Sequence, residues 1–234
     1  MKKLLLATVA AGGIALASQP GNALIVYATP TSNNVIGVVE GWLGANVFLF
    51  AGGNTQVEVW YLGKEAGATN VFDLNNGDVT VSTAGRPDSV GGPTSSLFGG
   101  AVAPLFIGQT GIDPGLITFE FLTTIGGGTS VTNASNAVPP SVPNFFATFT
   151  TCADATIGSC SFDTNPNGST PGGGNAVLLA LDDGGAGPDD NHDDIVVVLK
   201  LASGSFGVPE PATLGLLGAG LLGLGFAMRR RRQA

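Results

Sequence analysis

The sequence predicts an all-β protein, an antiparallel β-sandwich of jelly-roll type, held between two terminal segments of a different character. Three observations predict it. No long stretch carries the 3.6-residue apolar period of an amphipathic helix. Short runs rich in β-branched and aromatic residues recur instead, bounded by glycine, proline and asparagine. Many such runs at close spacing are the pattern of stacked antiparallel sheets. The 13 phenylalanines against 2 tryptophans and 2 tyrosines suit a dry core between two sheets.

Strands are expected at Ile25–Ala28, Val35–Val39, Val47–Phe50, Gln56–Leu62, Asn70–Asp73, Val79–Ser82, Ile117–Thr123, Phe145–Thr150, Ala176–Ala180 and Ile195–Leu201. The run Gln56–Leu62 alternates most clearly. It places Val57, Val59 and Tyr61 on one face and Gln56, Glu58 and Trp60 on the other. Arg86–Gly100, Gly126–Pro143 and Asn165–Gly174 are rich in Gly, Ser, Thr, Asn and Pro, and read as surface loops. Asn133-Ala134-Ser135 and Asn167-Gly168-Ser169 match the glycosylation sequon.

The ends stand apart from this body. Met1-Lys2-Lys3 is a basic opening, and Leu4 to Ala17 is an apolar stretch too short for a stable span. Small-x-small cleavage sites follow at Ala15-Leu16-Ala17 and Gly21-Asn22-Ala23, so residues 1–23 read as a signal peptide cut after Ala23. At the other end, Val208-Pro209-Glu210-Pro211 precedes 17 uncharged residues, Ala212–Met228, and then Arg229, Arg230, Arg231 and Arg232. As a helix, 17 residues span about 25 Å, close to the lower limit for crossing a bilayer. The arginines stop transfer and stay cytoplasmic, which places everything before Val208 outside. Pro209 and Pro211 bias Glu210 toward an extended stub at the membrane surface. The expected division is therefore a signal peptide at 1–23, a sandwich ectodomain at 24–207, and a tail at 208–234. Within the tail, 208–211 is the motif, 212–228 the transmembrane helix and 229–234 the basic end.

The charge is divided the same way. Six of the nine Lys and Arg residues lie in the ends, leaving Lys64, Arg86 and Lys200. Sixteen of the 17 acidic residues stay in 24–207, giving that segment a formal charge of −13. So acidic a surface excludes nucleic acid and anionic lipid as partners and suits divalent cations. Cys152 and Cys160 are the only cysteines and both are exported, which reads as one disulfide closing a loop of nine residues. A thiol nucleophile would need a base, and the one histidine, His192, sits in an acidic stretch.

That stretch is the strongest internal motif. Leu181 to Asp194 holds six aspartates among fourteen residues, with Gly184, Gly185, Gly187 and Pro188 supplying turns, and a valine-rich strand follows. Asp182, Asp183, Asp189, Asn191, Asp193 and Asp194 are candidate ligands for a structural Ca²⁺, which takes six to eight oxygens from carboxylates, amides and carbonyls. It is no EF-hand, because the Glu at the twelfth position and the flanking helices are missing. Three other readings stay open. The stretch is a solvated acidic turn, a transition-metal site built on His192 with Asp189, Asp190 or Asp193, or a catalytic carboxylate pair of the glycosidase kind.

The tail resembles a PEP-CTERM sorting signal, with Pro209-Glu210-Pro211 as its naming motif and the span and arginine cluster in the matching order. The resemblance covers about a tenth of the chain. It implies recognition by an exosortase, a membrane-embedded protease of Gram-negative bacteria, after a transient stay in the inner membrane. Residues 209–211 would be substrate there and not catalyst. It further implies delivery to the cell surface or extracellular matrix, in company with exopolysaccharide. The acidic run before a valine-rich strand, and Gly63-Lys64-Glu65-Ala66-Gly67, also resemble segments of such exported surface proteins, which speaks to architecture and not to activity. With no nucleophile and base set in view, the expected role is non-enzymatic. The alternatives are a carbohydrate-binding module presenting Trp42, Trp60 or Tyr27 as an aromatic platform and, behind it, a polysaccharide hydrolase.

Overall fold

A computed structural model describes residues 26–28, 39–65, 67–86, 104–138, 142–162, 173–184 and 192–208. The described residues contain strands β1 (Val26–Ala28), β2 (Gly41–Leu43), β3 (Phe48–Phe50), β4 (Thr55–Gly63), β5 (Asn70–Leu74), β6 (Val79–Ser82) and β7 (Leu105–Ile112). They continue with β8 (Gly115–Leu116), β9 (Phe119–Thr123), β10 (Thr129–Thr132), β11 (Asn144–Thr150), β12 (Ala176–Asp182), β13 (Ile195–Leu201) and β14 (Ser205–Gly207). Two single turns of 3-10 helix, Ile125–Gly127 and Ile157–Ser159, are the only helical pieces among the described residues. The described residues are all-β, as the patterning predicts.

The strands form three antiparallel sheets. Seven strands make the largest, in the order β1-β2-β11-β12-β13-β4-β7. Four make the second, β10-β9-β5-β6, and three the smallest, β14-β3-β8. One core unites them. Val57, Val59, Tyr61, Phe145, Phe149, Leu179, Val197 and Leu199 of the large sheet pack with Phe72, Leu74, Val81 and Phe121 of the second and Leu49 and Phe206 of the third. The phenylalanines meet in the middle: Phe72, Phe119, Phe121 and Phe145 have ring centroids 5.0–6.1 Å apart in tilted or edge contacts. Such pairs add about 0.5–1.5 kcal/mol each beyond the area they bury.

The central strands differ from a plain two-layer sandwich. Every residue of β11, β12 and β13 is buried, on both faces. The second face carries its own apolar cluster of Phe146, Ala176, Leu178, Ala180, Val196 and Val198. It is covered by Val39 and by Cys152, Ile157, Cys160 and Phe162 of the 151–162 loop. Cys152 and Cys160 are joined by a disulfide there, so the covalent loop acts as a lid on apolar surface. Trp60 packs on this face against Phe106, 5.0 Å between ring centroids.

The expected strands fall close to β1, β3 to β6, β9 and β11 to β13, while residues 35–38 of the run Val35–Val39 lie outside the described residues and Val39 itself is not in a strand. Five strands had no expectation: β2, β7, β8, β10 and β14. The segment Gly126–Pro143 is not simply a surface loop. It contains β10 and two buried asparagines that serve as surrogate backbone. The Asn133 amide accepts from Val47 N–H at 2.7 Å and donates to the carbonyls of Val47 and Ile117, both at 2.7 Å. Asn136 accepts from Phe145 N–H and donates to Ala45 and Phe145 carbonyls at 2.9–3.0 Å.

Candidate functional site

The β12–β13 hairpin positions the acidic stretch. Long apolar strands on either side bring Asp182 and Asp183 to one end of the large sheet, and Asp193 and Asp194 return beside them. Three further segments converge there: the end of β4, through Glu65 N–H on the Asp193 carbonyl at 2.8 Å, and the starts of β11 and β5. Gly184 makes the first turn of the connection. Its φ of 75° is left-handed, and a Cβ there would lie 2.7 Å from Val142 Cγ2, so neither backbone nor space admits a side chain.

The carboxylates are buried rather than solvated. Asp182, Asp183 and Asp193 are each under 5 % exposed. Asp182 Oδ1 accepts from Gly184 N–H at 2.9 Å, and its Oδ2 from the Asn144 amide at 3.3 Å. Asp194 Oδ2 accepts from Asp183 N–H at 2.6 Å, while Asp194 N–H reaches the Leu181 carbonyl at 3.1 Å. Burial pushes the Asp194 carboxyl up to about 8, with the neighbouring charges of Asp183 and Asp182 adding to the rise against the Asp183 N–H. Asp182, Asp183 and Asp193 are therefore not solvated carboxylates, while Asp194 is partly exposed.

The structure brings Asp182, Asp183, Asp193 and Asp194 to one end of the sheet, while Asp189 and Asn191 lie outside the described residues. Among the described residues no three His, Cys, Asp or Glu side chains converge as a metal site. His192 is buried and its Nε2 lies 2.7 Å from Asn144 Oδ1. Burial holds its pKa down to about 4, so the ring is neutral at physiological pH. Sequence reasoning missed Asn70. Heading a Val-Phe strand it looks like an ordinary strand residue, yet it is fully buried and its amide donates to Asp183 Oδ2 at 2.9 Å.

A second concavity of about 210 Å³ is lined by Asp73, Asn76, Glu120, Asn133 and neighbouring residues. Asp73 and Glu120 face each other across β5 and β9. The hollow is smaller than the 300 Å³ at which small-molecule sites begin. Its one aromatic, Phe119, is buried in the core and offers no face on which a sugar could stack. It supplies little of what a glycosidase cleft needs.

At the C-terminal side, β14 pairs with β3, and Phe206 exchanges backbone hydrogen bonds with Gly174. Val208, counted with the tail on sequence grounds, is 6 % exposed and packs in the main core. The folded body thus runs to Val208, and Pro209 follows directly. Pro209, Glu210, Pro211, the apolar run, Arg229–Arg232 and residues 1–23 lie outside the described residues. Among the described residues no helix is long and apolar enough to cross a membrane. Residues 207–232 match the family model described as the PEP-CTERM protein-sorting motif. The chain carries a PEP-CTERM sorting signal. The match takes in the Pro-Glu-Pro motif, the apolar run and the arginine cluster as one unit, so this is an exported protein with a membrane-anchored sorting signal, an exosortase substrate. No curated protein and no solved structure matches the chain.

Proposed function

We propose that the chain is a non-enzymatic surface or matrix protein of a Gram-negative bacterium. An exosortase removes its PEP-CTERM tail, and the released β-sandwich works in association with exopolysaccharide, stiffened by Ca²⁺ bound at the Asp182–Asp194 connection. The observation that carries the reading is the sorting motif at residues 207–232, whose Pro-Glu-Pro follows directly on Val208, the last buried residue described. The dense, double-covered core and the acidic surface fit a protein that persists outside the cell.

Replacing Pro209-Glu210-Pro211 with three alanines in a host with an exosortase tests the sorting step. The expected result is accumulation of full-length, membrane-bound precursor. Unchanged processing would refute the assignment. A second reading, glycan binding, has one observation in its favour: Trp60 is half-buried beside Phe106, which is 46 % exposed, at the outer face of the large sheet. Trp42 is no part of such a platform, since it is buried in the main core. Exopolysaccharide that retards the protein in affinity electrophoresis, and retards Trp60→Ala and Phe106→Ala equally, would rule this surface out.

A further inference from the structure

We propose that Phe48, Phe50 and Leu116, on the outer face of the three-stranded sheet, rest on the lipid bilayer while the protein is anchored. The sandwich then stands on the membrane with one fixed end down. This contact rests on the anchoring that the sorting signal provides, and it is made by the folded body itself.

The patch follows from the register of the small sheet. Phe48 and Phe50 alternate with Leu49 on β3, so Leu49 enters the core and the two rings face outward. Phe48 is half-buried and Phe50 is 49 % exposed, with their rings stacked 6.5 Å apart between centroids. Leu116 of β8 pairs directly with Phe48 and is 37 % exposed. Gly207 of β14 pairs with Phe48 on its other side. A Cβ at Gly207 would lie 3.2 Å from the Phe50 ring, so the glycine leaves open the floor on which that ring lies. Phe48-Leu49-Phe50, Gly115-Leu116 and Ser205-Phe206-Gly207 contain no charged residue, although the segment 24–207 carries a formal charge of −13. Single exposed apolar residues need no explanation, but adjoining ones mark an interaction surface.

The course of the chain decides what meets this surface. β13 starts at Ile195 beside the buried aspartates and ends at Leu201, with β14 three residues further on. The start of β4 pairs with that end of β13, Val57 opposite Leu201, while Gly63 at its finish lies opposite Val196. β7 ends at Ile112, opposite Thr55, and β8 follows. All three strands of the small sheet thus attach at the end of the large sheet away from the aspartates. The tail leaves from this same end. Gly207, beneath the Phe50 ring, precedes the buried Val208, and only Pro209-Glu210-Pro211 separate Val208 from the apolar run. An anchored protein therefore holds its uncharged aromatic patch at the membrane-facing end. Apolar side chains at that level fit the boundary between headgroups and acyl chains, into which an apolar face sinks by about 5–10 Å. Beside Leu116 the patch is bounded by the hollow of Asp73 and Glu120, so anionic lipid should oppose the docking.

The test uses the full-length protein reconstituted into phosphatidylcholine vesicles, with and without lipid brominated on the acyl chain near the headgroup. Bromine quenches tryptophan on contact. Phe50→Trp should add emission that brominated lipid quenches, above the level set by Trp42 and Trp60 in the unaltered protein. Phe106→Trp, toward the other end of β4, should add emission that is not quenched. Leu116→Glu in the Phe50→Trp background should lower the docked-to-undocked ratio about tenfold, since it removes apolar burial and drives a carboxylate toward hydrocarbon. Replacing part of the lipid with phosphatidylglycerol at low salt should weaken the quenching. Circular dichroism and a thermal melt show that each variant is folded, and Phe50→Trp alone decides the point if Leu116→Glu fails to fold. Equal quenching at positions 50 and 106 would mean tumbling with no preferred face, and would overturn the proposal. Blue-shifted but unquenched emission from Phe50→Trp would overturn it too, because a second copy of the chain would then cover the patch. Flotation of the vesicles reads the anchoring separately. Protein that floats without quenching overturns the patch alone, and protein that does not float overturns the anchoring with it.

Discussion

Asn133 gives the sharpest test of the fold. Its side chain is 1 % exposed and closes three hydrogen bonds of 2.7 Å, one from Val47 N–H and one each to the carbonyls of Val47 and Ile117. The Val47 carbonyl keeps a second partner in Ile117 N–H at 3.2 Å. Truncation by Asn133→Ala therefore strands mainly two buried groups, Val47 N–H and the Ile117 carbonyl. At about 1–3 kcal/mol for each, with a small cavity added, the loss should be roughly 3–5 kcal/mol. That is a large part of the 5–15 kcal/mol that stabilises a typical domain. Urea unfolding followed by tryptophan fluorescence measures it, and a thermal melt should fall by about 8–15 °C. Ser135→Ala is the control. It breaks the sequon as completely, yet removes only exposed contacts to Thr132. Equal losses below about 1 kcal/mol for both variants would refute the bracket argument.

Two further perturbations probe the acidic end of the sheet. Gly184→Ala must hold a φ of 75° and press a methyl on Val142, so it should cost about 2 kcal/mol or more in the same urea assay, and a loss under about 0.5 kcal/mol would contradict the turn geometry. His192 should titrate near pH 4 by NMR. On acidification the unfolded chain takes up a proton near pH 6.5 that the folded chain refuses until about pH 4, so this residue's contribution is whole above 6.5 and falls through that window, by roughly 2 kcal/mol at pH 5. Asp194, kept protonated by burial, pulls the opposite way between pH 4 and 8. The His192 part is therefore read as the difference between the unaltered protein and His192→Gln at pH 7 and pH 5.

What the sequence shows of this fold follows from where each strand draws its stability. β12 and β13 are buried on both faces, so they appear as near-continuous apolar runs, broken only by Asp182 and Lys200. β4 faces the core with Val57, Val59 and Tyr61, and alternates as a half-buried strand should. β7 carries Gly108 and Gly111 and exposes Leu105 and Phe106, so its own residues announce no strand. It exists through pairing with β4 along seven registered positions, a tertiary effect that composition does not record. The candidate site divides in the same way. Its aspartates cluster within one stretch and are visible. Asn70 lies more than a hundred residues away, and only the packing of β5 against the hairpin head brings its amide to Asp183. The asparagines at 133 and 136 look like turn residues because the backbone groups they satisfy, at Ala45, Val47, Ile117 and Phe145, belong to other segments of the chain.

The burial of Val208 has a consequence for where this protein can act. Four residue steps separate it from Ala212, the first residue of the apolar run. Even fully extended they span at most about 14 Å. Before cleavage the sandwich therefore has almost no tether and is confined to a thin shell above the bilayer, searching for partners in two dimensions. A polymer or a neighbouring cell beyond that shell is out of reach. On the proposed reading, in which the exosortase frees the domain, cutting the tail would exchange a surface-bound search for a three-dimensional one and carry the acidic domain to distances the uncut chain cannot cover.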